Sequence, residues 1–401
     1  MWIPESEKEI VDVVTSGSLE ESVTFDAKAE LPSKRRNHEL AKDVAAMATE
    51  GGVLLYGVAE DEHGRPTSLT PIPLAGQPER IAAIVRTSIA EPPFIRISQI
   101  ATADDPSKGY IVVVVPPSER APHMVVVKGD HRYYGRTDTG NRLLSEAEVA
   151  RLYERRRQAK VDVTAMLADD VETLPYPRVD ALIPMYLIAR PVLSNESLLK
   201  SAARDHGNPQ TLLHRIVDRA VQPSVFPNNQ YMPDMHFPDR WFHQPEGFLG
   251  RMGWVTREDE SIQERLRTTL DLRVNFDGTI RFYCGAVGEA NNEMRAVFAT
   301  AIAGLTTRFL AFAGRLYEEA SYLGGVDVGV AMLGLKGGVP GSPNVIMIGR
   351  LVPLERDTYY QAARLSAFEL ADDPREAARS LLGPLFNTLF QGSRDPLATK
   401  Q

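Results

Sequence analysis

Residues 37–58 read NHELAKDVAAMATEGG followed by VLLYGV, and no other stretch limits the possible folds as strongly. Leu40, Val44 and Met47 recur at helical spacing, and Asn37 or Ser33 offers an N-cap, so the first part is expected to be a helix with one buried face. Gly51 and Gly52 permit positive φ, which ends the helix and turns the chain directly into the apolar run 53–58, long enough for a buried strand. A helix that delivers the chain so abruptly into an apolar strand requires a mixed fold in which helices and sheet share a core. Glu60 and Asp61 then fall at a strand's end. Upstream, residues 23–25 alternate as a short strand would, placing Glu21 and Asp26 just before the helix.

The pattern continues in the same style. Residues 110–117, YIVVVVPP, form a strongly β-prone run stopped by prolines. HRYYGR at 131–136 reads as an aromatic strand ending in Arg, and residues 145–157 read as a helix with Ser145 and Glu148 spaced as a capping box. Lys34-Arg35-Arg36, Arg132 with Arg136, Arg142, and Arg155-Arg156-Arg157 are candidates for a phosphate track, although such runs are also common at solvated helix ends.

An acidic pair five residues apart in a Phe-Asp-x-Lys setting, then Ala-Ala-Met-Ala-x-x-Gly-Gly and Tyr-Gly-Val-x-Glu-Asp, resembles the Schlafen AlbA-type domain of prokaryotic Schlafen-like proteins. The resemblance extends to about residue 158, or about two-fifths of the chain. Ala48-Thr49 departs from the family's usual Ala-Asn, and Phe25-Asp26-Ala27-Lys28 from its common Glu-Phe-Lys. The resemblance implies nucleic acid as partner, structured RNA ahead of DNA, and a three-carboxylate centre that cleaves transfer-RNA-like substrates with Mg or Mn. Glu21 and Asp26 fall on the matching positions, Glu60 or Asp61 supplies the third acid, and Lys28 would offset phosphate charge. Glu21, Asp26 and Glu60 are thus the expected metal ligands. Stress or phage defence is the implied setting. A noncatalytic DNA-binding or regulatory module is the alternative, because acids beside strand ends more often cap turns or face solvent.

Bulk properties narrow the remaining classes. The 401 residues allow two or three domains, and 43% hydrophobic with 24% charged residues is ordinary for a globular protein. The single Cys284 excludes an internal disulfide and a thiolate zinc cluster, fitting a reducing cytoplasm. The N-terminal MWIPESEKEIVDVV is a charged amphipathic helix rather than a secretory signal, and no run reaches the ~20 apolar residues of a membrane span. A cytoplasmic protein with no membrane partner is expected. A net charge of −8 means that any nucleic-acid affinity must come from locally concentrated Lys and Arg. His38-Glu39 lacks the second helical His of a zincin, and the glycines near 324 and 337 lack P-loop spacing.

Beyond residue 158 no family is apparent. A polar, Pro-containing stretch at 159–176 is expected to be a linker, separating a 1–158 domain from a 177–401 domain of α+β type. Expected elements are a strand at 179–188, helices at 195–205 and 209–221, β segments at 247–255 and 268–284 with a hairpin through Asp277-Gly278, and a long amphipathic helix at 293–322. Strands at 329–335 and 345–352 and a final helix at 373–391 complete the domain. The cluster DMHFPDRWFH at 234–243 suits a loop as well as a metal or stacking site. Sensing, partner recognition or assembly into a homo-oligomer is the expected role of this half.

Overall fold

A computed structural model describes residues 2–19, 22–61, 64–127, 130–137, 140–158, 162–193, 198–203, 207–227, 233, 235, 241–252, 261–290, 295–342, 345–346, 352–390 and 396–397. The chain divides into two compact units, 1–160 and 161–401. Both mix helices with sheets, as the α+β expectation required.

In the first unit, the strand Gly52–Tyr56 is buried along its whole length, between the parallel strand Phe25–Lys28 and the antiparallel strand Lys108–Val115. Lys108–Val115 also pairs with Arg96–Ala101 and with Ile72–Pro73, giving five strands. The apolar run expected as one strand to residue 58 is broken at Gly57, whose φ of 100° starts a separate strand, Val58–Glu60. A second sheet holds Ile89–Ala90, Met124–Val127, Asp130–Thr137 and Gly140–Leu143. The helix Asn37–Met47 packs among these layers through Leu40, Ala41, Val44 and Met47. It begins after a short turn, Lys34–Arg36, and neither Ser33 nor Asn37 caps it through a side chain. Gly51, at φ 87°, ends it, and a Cβ there would stand 2.8 Å from the ring of Pro117. The helix Glu146–Gln158 begins with the expected box: Glu148 Oε2 accepts from Ser145 N at 2.9 Å, and Ser145 Oγ from Glu148 N at 3.4 Å.

The second unit is built on a seven-stranded antiparallel sheet in the order Phe242–Gln244, Gly247–Met252, Leu270–Asn275, Ile280–Cys284, Met185–Pro191, Gly325–Met332, Tyr359–Ser366. The hairpin through Asp277-Gly278 forms as expected, with Gly278 at φ 85°. Side chains alternate along the central strand: Met185, Leu187 and Ala189 enter the main core, whereas Tyr186 and Ile188 face the other side. The main core lies under the helices Pro209–Ala220, Ala299–Glu319 and Pro374–Phe390. The long helix is buried almost all round rather than along one stripe, because helices cover its far side; Gly314 lets the backbone of Ala371 come within 2.6 Å of a notional Cβ. It starts at Ala299, and the preceding Arg295–Val297 is a strand of a smaller sheet.

The stretch expected as a linker at 159–176 instead contains the helix Val163–Thr173, capped by Asp162, whose side chain accepts from Thr164 N and Ala165 N. Val163 and Leu167 are buried with Tyr186 and Ile188 on the second face of the seven-stranded sheet. Its charged surface residues gave it a polar look, but its apolar positions make it part of the second unit's fold. Most of the segment 234–243 lies outside the described residues; Met235 and Trp241 are buried in the core, and His214 meets Trp241 edge-on at 6.2 Å. No described helix is long and apolar enough to cross a membrane.

Candidate nucleic-acid interface

Strand alternation places Phe25 and Ala27 on one face of Phe25–Lys28, and Asp26 and Lys28 on the other. Asp26 is only 2% exposed, and burying an ionised carboxylate requires partners. It has two cations: Arg136 Nη1 at 3.0 Å and Lys28 Nζ at 3.1 Å, both on Oδ2. Arg136 comes from Asp130–Thr137 and also donates to the carbonyl of Ser22 at 3.3 Å. Its cross-strand partner is Asn141, so the two side chains share a face.

Asn141 carries the network to the helix. Its amide donates to Asp43 Oδ1 at 2.6 Å, and Asp43 Oδ2 lies 3.7 Å from Lys28 Nζ with no hydrogen-bond partner among the described residues. Burial pushes the Asp43 carboxyl up to about 6; the positive charge of Lys28 only partly offsets this. Tyr56, fully buried, feels both carboxylates, and burial together with their charge raises its phenol well above its ordinary range. The Lys28 ammonium is held above its ordinary range by Asp43 and Asp26, against a desolvation cost that is the largest single influence. Lys28, Arg36, Lys42, Asp43 and Asn141 line a cleft of about 320 Å³.

A second cleft, of about 360 Å³, is lined by four arginines, Arg136, Arg142, Arg151 and Arg155, with Glu50, Glu148 and Thr49. Arg142 and Glu148 form a bidentate pair at 2.5 and 2.9 Å, and Arg155 donates to the carbonyl of Thr49 at 3.0 Å. Arg136 is matched by Asp26, Arg142 by Glu148, and Arg155 lies 4.0 Å from Glu50, so the arginines are oriented by acidic neighbours and backbone carbonyls.

The expected site residues divide accordingly. Asp26, Lys28 and Arg136 come together, and Arg136 joins Arg142 and Arg155 at the second cleft. Arg36 lines the first cleft, where it pairs with Glu39 at 2.9 Å, while Lys34 and Arg35 are exposed on the preceding turn. Arg132 is exposed on its strand; Arg156 bonds Glu91, and Arg157 bonds Glu154, each at 2.5 Å, and these three line neither cleft. Glu60 Oε1 accepts from the backbone N–H of Ala27 at 2.9 Å, satisfying the outer edge of the first strand. Asp61 Oδ1 accepts from Arg65 N at 3.0 Å and closes a turn. Glu21 lies outside the described residues. Among the described residues no three His, Cys, Asp or Glu gather as metal ligands, and Asp26 is already matched by two cations. The described carboxylates alone do not form a cage for Mg or Mn.

Asp43, Asn141, Lys42 and Arg151 line these clefts and were absent from the sequence expectation. Asp43 left a signal, a carboxylate at position 43 between the buried Leu40 and Met47 of a helix, where an acid is costly unless it is used.

The buried acid–base network and the arginine-lined cleft make this unit an α+β module with two charged clefts. Residues 21–145 match the family model for Schlafen, AlbA_2, so the N-terminal part of the chain is a Schlafen AlbA-type domain, a family that suggests nucleic-acid binding. No curated protein and no solved structure matches the chain.

Proposed function

We propose that the N-terminal unit binds nucleic acid by seating backbone phosphates in the cleft of Arg136, Arg142, Arg151 and Arg155, with structured RNA preferred to DNA. The carrying observation is the convergence of four arginines from a strand pair and a helix on one cleft of about 360 Å³. Arginine forks match phosphate oxygens, and a chain of net charge −8 needs such concentration to hold a polyanion. Exposed Arg142 can rotate from Glu148 to phosphate at little cost, since a surface ion pair contributes only ~0–1 kcal/mol. The buried Arg136 stays on Asp26 and shapes the cleft rather than touching phosphate. The test is titration of a labelled RNA hairpin and of the corresponding DNA duplex. Arg151→Ala and Arg142→Ala should each weaken RNA binding about tenfold, and unchanged affinity in both would refute the cleft.

A second reading, RNA cleavage, draws on Asp43. Its carboxyl, pushed to about 6 at the floor of the neighbouring cleft, suits proton transfer near neutral pH, and Lys28 beside it can stabilise charge developing on a phosphate. Incubating a transfer-RNA-like substrate with wild type, Asp43→Asn and Asp26→Asn, with Mg or Mn and with chelator, tests this. Intact substrate throughout leaves the noncatalytic module, whereas cleavage lost in Asp43→Asn supports it.

A further inference from the structure

The second unit carries its own cavity, on the sheet face opposite the helical core. It is about 300 Å³ in volume, within the range of small-molecule sites, and is lined by Tyr176, Tyr186 and Tyr283, by Leu266 among its apolar walls, and by Arg178 and Arg295. The tyrosines are built in. Tyr186 and Tyr283 are cross-strand partners, and their rings lie 5.1 Å apart at 59°. Tyr176 stacks on Tyr283 at 4.2 Å and 7°, and Arg251 and the buried Asp271 hold its hydroxyl.

The other two hydroxyls are the informative ones. Tyr186 is 4% exposed and Tyr283 3%, both line the cavity, and neither hydroxyl is among the described polar atoms sealed from solvent without a partner, so both stay open to the cavity. A phenol hydroxyl that opens on a cavity and engages no protein group is held by water, which a ligand's polar atom can replace. Two such groups on one cavity mark where a ligand's polar edge belongs. Each phenol can donate or accept, so the pair suits a planar group carrying both donors and acceptors in its plane. Arg295 is fixed at the wall by the carbonyls of Gly334 and Asp180, and exposed Arg178 lines the cavity together with the acids Asp180 and Asp357, a cation unpaired among the described residues and open to an anionic substituent. A flat heteroaromatic ring with mixed edge groups, one polar attachment and an outer negative charge is the chemistry of a nucleotide.

We propose that this cavity is a binding site for a single nucleobase, with Tyr186 and Tyr283 reading its edge and Arg178 meeting the 5′-phosphate. The base belongs either to a free mononucleotide or to an unstacked residue of a single strand, and the two share the same contacts.

Calorimetric titration of the full chain with the four ribonucleosides, their 5′-monophosphates and, as a second arm, single-stranded RNA tetramers tests this. At least one base should bind in the micromolar to millimolar range. Tyr186→Phe and Tyr283→Phe, which keep the rings and their packing, should each weaken it about tenfold without lowering the melting temperature. Arg178→Ala should weaken the monophosphate while sparing the nucleoside. Tighter binding of the monophosphate than of any tetramer identifies a free nucleotide, and the reverse identifies a base in a strand. No heat with any probe, equal affinity in the Tyr186→Phe/Tyr283→Phe double variant, or preference for free tyrosine or phenylalanine over every base would overturn the assignment.

Discussion

Asn141 donates to Asp43 at 2.6 Å across 98 residues of sequence, tying a short hairpin strand to the helix that follows the charged turn. Through that bond and the Arg136–Asn141 cross-strand pair, the carboxylates of Asp26 and Asp43 belong to one network with Lys28 between them. The charges are internally balanced at Asp26 and only partly so at Asp43.

This imbalance makes Asp43 a cost to folding at neutral pH. Its carboxyl is raised from 3.8 to about 6 in the folded chain, so the native state holds the proton more tightly than the unfolded state does. The associated stability is fully present below pH ~3.8 and is lost as pH rises through about 6. Asp43→Asn should therefore stabilise the protein at pH 7.5, by about 1–3 kcal/mol, and the gain should shrink as pH falls toward 4. Denaturant melts of both forms at pH 4.5 and 7.5 measure this; a destabilised variant at pH 7.5 would mean that the Lys28 attraction outweighs burial.

Arg136 and Arg142 should contribute to stability to very different degrees. Removing the buried Arg136 leaves Asp26 with Lys28 as its remaining cation and should cost about 3–5 kcal/mol, whereas the exposed Arg142–Glu148 pair contributes about 1 kcal/mol or less. Thermal melts of Arg136→Ala and Arg142→Ala distinguish the two. Equal stabilities would show that the network around Asp26 relaxes freely.

His123 sets an acid limit. Its imidazole is 2% exposed, with Nδ1 2.6 Å from the carbonyl of Glu91 and Nε2 2.8 Å from Ser118 Oγ. A carbonyl can only accept, so Nδ1 carries the proton and Nε2 accepts from the serine hydroxyl. Burial lowers the pKa from 6.5 to about 4. The unfolded state then binds the extra proton first, so this group's stability, present above pH ~6.5, is lost as pH falls toward 4. His123→Gln should flatten the stability profile between pH 6.5 and 4; an identical slope in the variant would place the acid sensitivity elsewhere.

Local features were readable from sequence because their signals lie within a turn or two of the chain. The Asn37–Met47 helix, its Gly51 stop, the Ser145–Glu148 box and the Asp277-Gly278 hairpin are of this kind. The site was only partly readable. Asp26 and Lys28 stand two residues apart on one strand, but Arg136 reaches Asp26 across 110 residues and Asn141 reaches Asp43 across 98, and no local pattern reports such convergence. Glu60 and Asp61 look like site acids by position, yet one closes a sheet edge and the other a turn. The helix Val163–Thr173 was hidden because Asp169, Asp170 and Glu172 obscure the buried Val163 and Leu167. In the second unit the tyrosines at 176, 186 and 283 meet only once the sheet has formed.

The salt dependence of RNA binding tests the arginine cleft most directly. For a labelled RNA hairpin, log Kd should rise linearly with log salt in the wild type, because phosphate contacts release counterions. In the Arg142→Ala/Arg151→Ala/Arg155→Ala variant, which leaves the buried Arg136 and Asp26 in place, the slope should fall by about 2–3 and affinity by at least a hundredfold, with the melting temperature nearly unchanged. A folded triple variant that keeps the wild-type slope and affinity would contradict phosphate binding in this cleft.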